Sequence, residues 1–209
     1  MFWNKKKIFC IGRNKTGTTS LAKALKNLGY RVGKQGKAEC LLDDWGRRDF
    51  RQIVRYCKWA DAFQDVPFSL DYSYQVLDYA FRGSKFILSV RDNPDQWFGS
   101  LIRSQTKLLG KGRLPTADDL RHFNYCDTGW LWRQHQMVYG IDENTLYAPA
   151  IYKQHYEDHN QKILQYFKYR PGDLLVLNVS EADAMSRLCE FLGHRAMDIS
   201  MPHENRTNR

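Results

Sequence analysis

The sequence lacks the features that mark disulfide-rich, zinc-binding, secreted and membrane-spanning proteins. Its five cysteines are odd in number and form no CxxC pair or Cys/His cluster of zinc type. We therefore expect reduced thiols, with Cys10 and Cys189 buried as small hydrophobic residues. The apolar run after the basic N-terminus covers only residues 8–11, too short for a signal peptide or a membrane span. These absences predict a cytoplasmic protein without stable membrane insertion.

No Pro/Gly/Ser-rich linker, internal repeat or low-complexity segment divides the 209 residues. With 43% hydrophobic content, a chain of this length can bury one full core, so we predict a single domain over residues 1–209. The net charge of +9 suits a polyanionic partner such as a nucleotide, a nucleic acid or an anionic surface. Aromatic and basic residues do not interleave as in RNA-binding proteins, which argues against a nucleic acid.

Short apolar runs alternate with stretches of helical periodicity along the chain. Strands are predicted at residues 8–11, 61–64, 85–90 and 174–177. Helices are predicted at residues 18–28, 50–60, 70–81, from Pro94 onward, and at 120–137, 151–167 and 182–192. This alternation indicates an α/β fold of three layers, in which helices flank a mostly parallel sheet and ligands bind beyond the carboxyl ends of the strands.

The loop between the first strand and the first helix carries the clearest motif. Residues 12–20 read GRNKTGTTS. Two glycines five positions apart allow a tight turn of inward-pointing N–H groups, and the following helix adds its positive end, so the loop is an anion cradle. In the P-loop of nucleoside triphosphatases a lysine directly follows the second glycine. Here Thr18 holds that position and Lys15 lies before Gly17.

With the sequence KTGTT at residues 15–19, the loop resembles that of the sulfotransferases that use 3′-phosphoadenosine 5′-phosphosulfate (PAPS). The resemblance implies a P-loop NTPase-like sulfotransferase fold, PAPS as co-substrate, adenosine 3′,5′-bisphosphate (PAP) as product, and no metal. It also implies that Lys15 contacts the oxygen bridging phosphate and sulfate. The residues that it assigns to nucleotide binding in the loop are Arg13, Asn14, Lys15, Thr16, Gly17, Thr18, Thr19 and Ser20.

A second part of the resemblance follows the strand at 85–90. The family has an arginine at this strand end and a serine on the next helix, which bind the ribose 3′-phosphate, and these correspond to Arg91 and Ser100. A guanidinium fork and a hydroxyl both suit a phosphate. Ser100 follows Arg91 by nine positions, one more than is usual in the family. The alternatives are a salt bridge from Arg91 to Asp92 or Asp95, and Ser100 as an ordinary helix residue.

The end of the chain is also similar to that of single-domain sulfotransferases, so Asn205 and Arg206 are predicted to contact the nucleotide. Residues 110–150 lie outside the resemblance. In the family this part usually shapes the acceptor site, so we interpret it as a variable acceptor-site or lid region.

Sulfotransferases need a general base, either His or a carboxylate, and no histidine follows the second predicted strand. Asp65 is the candidate there, because the end of that strand should point into the same crevice as Lys15. Its ordinary pKa of about 3.9 suits this role only in a desolvated pocket. One alternative is that Asp65 caps a helix beginning near Ser69 or Leu70. The other is that His159 on the later helix, or a residue within 110–150, takes the role.

The sequence therefore predicts a sulfotransferase that moves a sulfuryl group from PAPS to a hydroxyl or amine. The acceptor, a small molecule or a glycan, is not identified by the residues. Two other functions remain open: a P-loop kinase-like phosphotransferase, and a nucleotide-binding relative without catalysis.

Overall fold

The computed structural model describes residues 6–109, 112–195 and 200–202. These fall into two compact units, the first made of the described residues up to Val90 and from Lys162 onward, and the second of the described residues between Arg91 and Gln161. The predicted contacts of Asn205 and Arg206 lie outside the described residues. No helix among the described residues is both long and apolar enough to cross a membrane.

The first unit contains a four-stranded parallel sheet. Its strands are β1 (Ile8–Cys10), β2 (Ala62–Gln64), β3 (Lys85–Ser89) and β4 (Leu174–Leu177), in the spatial order β2-β1-β3-β4. Within this sheet Phe9 is aligned with Phe63 on one side and Phe86 on the other. The predicted fold class, a mostly parallel sheet flanked by helices, is confirmed.

The sheet is buried on both faces because apolar residues occupy successive positions of its strands. Side chains of neighbouring strand residues point to opposite faces. On one face Phe9 contacts the rings of Phe63 and Phe86, and Phe86 lies 4.8 Å from the ring of Phe167. On the other face Cys10 and Ile87 belong to a separate apolar cluster.

The helices that complete this second cluster follow β1 and β4. They are α1 (Thr18–Asn27) and α10 (Ala184–Leu192), which bury Leu21, Leu25 and Leu188 against the sheet. Between β1 and β3 lie α2 (Gln35–Glu39), α3 (Leu42–Gly46), α4 (Arg51–Tyr56) and α5 (Ser73–Ala80). Neither α2 nor α3 was predicted. None of the five cysteines, all of which are described, forms a disulfide, and Cys10 and Cys189 are buried as predicted.

The second unit consists of α6 (Pro94–Leu108), α7 (Ala117–His122), α8 (Trp130–Tyr139) and most of α9 (Pro149–Phe167), which ends in the first unit. Its core includes Trp97 and Tyr156, whose rings stack at 4.6 Å. The prediction of one helix over residues 120–137 is wrong. The chain is extended at Phe123 and left-handed at Gly129, so two helices form instead of one.

Candidate active site

The loop after β1 lies against the end of β3. The Ile11 N–H donates to the Ile87 carbonyl at 2.8 Å. A Cβ atom on Gly12 would lie only 2.2 Å from the Ser89 carbonyl oxygen, so no other residue fits at this position. The two strand ends are therefore held together by backbone contact.

This loop sits at the point where the strand order reverses. From β1 the chain goes first to β2 on one side of the sheet, and later to β3 on the other side. In open parallel sheets such a point leaves a crevice beyond the carboxyl ends of the two strands, and ligands bind there. The loop predicted to cradle an anion thus has the position that the fold favours for a ligand.

Two residues of the loop have left-handed backbone conformations. Lys15 has φ of 67° and Gly17 has φ of 93°. For a lysine this conformation costs about 1–2 kcal/mol, and such strain is typical of functional sites. At Gly17 a Cβ atom would also lie 2.2 Å from Cγ2 of Val179. Both the dihedral angle and the approach of Val179 therefore require glycine.

The Thr16 side chain holds the loop in place by two hydrogen bonds. Thr16 is fully buried, and its hydroxyl donates to the Arg13 carbonyl at 2.6 Å. A second hydrogen bond joins Thr16 Oγ1 to Ser89 Oγ at 2.6 Å, and because Thr16 has already used its proton, Ser89 is the donor. Ser89 thereby couples the turn to β3.

Helix α1 directs its positive end into the turn. Gly17 is its N-cap and supplies no capping side chain, and its first turn contains no acidic residue. The first N–H groups of a helix have no intrahelical acceptor, and the helix dipole favours an anion there. Thr18 and Ser20 are buried in this first turn, while Thr19 is exposed.

Arg13 connects the loop to the segment after β2. Its side chain is buried, and Nη1 donates to the Ser69 carbonyl at 3.0 Å. Asn14, next to it, is half-buried. The Arg13 guanidinium thus stands beneath the turn as a fixed positive charge.

Asp65, directly after β2, accepts a hydrogen bond from the loop. Its Oδ2 accepts from the Thr18 hydroxyl at 3.1 Å, and its Oδ1 accepts from the Val66 N–H at 2.9 Å. Like Lys15, Asp65 has a left-handed backbone, with φ of 60°. Helix α5 begins only at Ser73, so the alternative that Asp65 caps a helix beginning near Ser69 is wrong.

Asp65 is a half-buried residue. Burial raises the pKa of Asp65 above its ordinary value, although hydrogen bonds from Val66 and Thr18 act in the opposite direction. The positive charges of Arg13 and Lys15 also lower this pKa, by a smaller amount. Asp65 is half-buried, and the pKa shift has the direction that a role as a base requires.

Arg91 and Ser100 belong to the second unit. The Arg91 N–H donates to the Tyr156 hydroxyl at 3.0 Å, and Tyr156 is fixed by its stacking on Trp97. Burial lowers the pKa of the Arg91 guanidinium, and the nearby charge of Arg103 adds to this effect. Ser100 is half-buried on α6, one turn before Arg103.

The loop residues and Asp65 are thus assembled in the first unit as one site. Sequence reasoning missed Ser89, Val179 and Arg103. Ser89 could have been noticed as a small polar residue at the end of an apolar strand. No local signal marks Val179, which reaches Gly17 from the other end of the chain. Within the described ranges, no group of three or more His, Cys, Asp or Glu side chains could hold a metal ion.

Two comparisons with known proteins were informative to different degrees. A comparison with curated proteins gave no match. A family model described as a sulfotransferase domain matches residues 7–209. This span includes the loop, Asp65, Arg91 and Ser100. The chain belongs to the sulfotransferase domain family.

Proposed function

We propose that this protein transfers a sulfuryl group from PAPS to a hydroxyl or amine of an acceptor. Membership of the family supports sulfotransferase activity in general. The donor is inferred from one observation above all: Lys15 is held in a strained turn, in front of a helix whose own first turn contains no acidic residue.

The loop fits the 5′-phosphate end of such a nucleotide. Glycine at positions 12 and 17 lets the backbone approach β3 and Val179 closely, which shapes the turn around a small anion. The Thr16 hydroxyl has internal partners, so we assign its backbone, not its side chain, to the phosphate. The Thr18 hydroxyl donates a hydrogen bond to Asp65, and it can rotate to donate to a phosphate oxygen instead.

PAPS supplies an activated sulfuryl group on a good leaving group. Lys15 would neutralise the charge that grows on the bridging oxygen as this group leaves. Asp65 would accept the acceptor's proton at a carboxylate oxygen, which its raised pKa makes a better base at neutral pH. In the second unit, the half-buried Arg91 charge and Ser100 are our proposed ligands of the 3′-phosphate.

A kinase-like phosphotransferase is the second candidate because it shares the strand-turn-helix design. It would need a lysine directly after the second glycine to grip a triphosphate, and Thr18 occupies that position. Lys15 before the glycine favours the phosphosulfate nucleotide.

Nucleotide preference tests the proposal. PAP should raise the melting temperature of the purified protein more than ATP with magnesium, because a ligand selective for the native state stabilises it by mass action. At a hundred times its Kd the expected stabilisation is about 2.7 kcal/mol. Stronger stabilisation by ATP with magnesium would favour the kinase.

A pair of glycine variants locates the binding. Gly17→Ala should abolish the shift caused by PAP, because the new methyl group collides with Val179 and distorts the cradle. Gly29→Ala is the matched control: Gly29 has a similar φ of 87°, but a Cβ atom there meets no atom of the described residues within 4 Å. If both variants kept the full shift, the nucleotide would bind elsewhere. If PAP binds but PAPS supports no sulfuryl transfer, the protein is a non-catalytic relative.

A further inference from the structure

The first unit has a cavity outside the loop site. Its volume is about 320 Å³, at the small end of the range that ligand pockets occupy, roughly 300–1,000 Å³. It lies beside α5 and the C-terminal end of α9, where three tyrosines, two glutamines and an ion pair form its wall. Nothing in the proposed transfer reaction uses these side chains.

Tyr72 offers an aromatic surface at this cavity. It is 51% exposed, and its backbone is left-handed with φ of 66°. The guanidinium of Arg48 lies 4.5 Å from the Tyr72 ring centre and 4.8 Å from that of Trp45. Cation–π contact with this arginine therefore holds the exposed ring in a fixed position. A strained backbone at a fixed, exposed aromatic residue is typical of a binding surface.

Three polar side chains that line the same cavity have hydroxyl or amide groups open to a ligand. Tyr74 is only 5% exposed, yet among the described residues its hydroxyl makes no hydrogen bond. Burial raises the pKa of Tyr74 to about 12, so the hydroxyl stays a donor at neutral pH. Gln75 is half-buried and Gln165 is exposed, and neither side-chain amide makes a hydrogen bond within the part of the chain that the structure describes. A ligand with several hydroxyl groups could form hydrogen bonds with all three groups.

The charges at the cavity compensate each other. Asp71 Oδ2 and Lys162 Nζ form an ion pair of 3.1 Å, and the Asp71 carbonyl accepts from Trp45 Nε1 at 2.7 Å. The two charged side chains of the cavity wall thus neutralise each other, and the Arg48 charge is engaged with the rings of Tyr72 and Trp45. The cavity favours an uncharged ligand with both an apolar face and hydroxyl groups.

We propose that this cavity binds a neutral sugar ring of a glycan acceptor. The C–H face of a pyranose can stack on Tyr72, while its hydroxyls can exchange hydrogen bonds with the two glutamine amides and the Tyr74 hydroxyl. A plain phenol would fill the apolar part but leave the amides without partners. A sugar ring satisfies both kinds of surface.

The cavity and the loop site share one segment of chain. In residues 65–71, Asp65 accepts from Thr18, the Ser69 carbonyl accepts from Arg13, and Asp71 forms part of the cavity wall. A glycan held at Asp71 would therefore lie along the segment that begins with the proposed base. This inference rests on the proposed function, and assigns the cavity to a part of the acceptor away from the transferred group.

Binding of uncharged disaccharides tests it directly. Saturation-transfer NMR with lactose, maltose and chitobiose should detect at least one of them on the wild-type chain. Tyr72→Asn keeps a residue that tolerates the left-handed backbone and should weaken binding about tenfold or more, since it removes the stacking surface. Tyr79→Asn is the matched control, because Tyr79 is 75% exposed on α5 with the guanidinium of Arg82 5.1 Å from its ring centre, outside the cavity. Gln165→Ala should also weaken binding.

Absence of all three sugars from the wild-type chain would overturn the inference, as would equal binding by Tyr72→Asn and Tyr79→Asn. Binding of 4-methylphenol that depends on Tyr72, without sugar binding, would overturn it in favour of an aromatic ligand. The PAP-induced melting shift, measured on the same variants, separates the two proposals. A normal PAP shift without sugar binding rejects only the glycan site, whereas sugar binding without a PAP shift rejects only the donor.

Discussion

Replacing Asp65 by Asn removes the proposed basic oxygen and changes little else. Asn tolerates the left-handed backbone at this position as well as Asp does. Its side-chain oxygen can still accept from the Val66 N–H, and the Thr18 hydroxyl can rotate to accept from the new amide. Ala would break both contacts and add backbone strain. Asp65→Asn is therefore the substitution that isolates the charge.

If Asp65 is the base, sulfuryl transfer should fall about a hundredfold to ten-thousandfold, the usual contribution of general base catalysis. The melting shift caused by PAP should remain, because the cradle is made of backbone groups and the α1 N-terminus. Wild-type turnover should decline as pH falls through the raised pKa of Asp65, because the protonated carboxyl cannot accept a proton. The residual activity of the variant should lack this decline.

The pH dependence of the free energy of unfolding is a second, independent test of the raised pKa of Asp65. Because burial raises its folded pKa, the folded state binds more protons than the unfolded state at pH values between about 3.9 and the folded pKa. This contribution is fully present below the unfolded pKa and is lost as pH rises through the folded pKa. One proton gives a slope of at most about 1.4 kcal/mol per pH unit. Asp65→Asn should lack that slope.

The assays are steady-state turnover with a working acceptor, and urea unfolding across the same pH range. Turnover of Asp65→Asn near the wild-type level would refute the assignment and direct the search to His159, which is buried on α9. An identical dependence of unfolding on pH in both proteins would show that the pKa of Asp65 is not raised in the folded protein.

Two further predictions concern the nucleotide. Lys15→Ala should fold normally but lose turnover by about a hundredfold to a thousandfold, since it removes one electrostatic donor at the bridging oxygen; wild-type turnover would make Lys15 an ordinary surface residue. Arg91→Ala should bind PAP and adenosine 5′-phosphate with similar, weak affinity in a calorimetric titration, because the group that distinguishes the 3′-phosphate is gone. An undiminished preference for PAP would exclude Arg91 from that role.

Most strands and long helices could be predicted from local sequence patterns. Apolar runs mark the strands, and periodic apolar positions mark the long helices. Two of these helices end just before a glycine, Gly29 or Gly193, that has a left-handed backbone. Helices α2 and α3 have five residues each, too few for a periodic apolar pattern, and so they were missed. The helix predicted over residues 120–137 had enough apolar positions, but Gly129 takes a left-handed conformation that interrupts it.

The candidate site was only partly predictable for a related reason. The loop and Asp65 follow strands directly, so their place at the sheet edge can be deduced from the sequence. The contacts that shape the loop join distant parts of the chain: Ser89 bonds to Thr16, and Val179 packs on Gly17. No local pattern specifies such pairs, because they depend on the order of strands in the sheet.

The hydrogen bond from Thr18 to Asp65 would couple binding of the proposed donor to protonation of the Asp65 carboxyl. A phosphate that takes over the Thr18 hydroxyl deprives Asp65 of a bond that lowers its pKa, and the phosphate's negative charge acts in the same direction. The donor would then bind with uptake of a proton, and by reciprocity its affinity would decrease as pH rises. Because Asp65 must release that proton before it can act as a base, the fastest transfer would occur at a higher pH than the tightest binding.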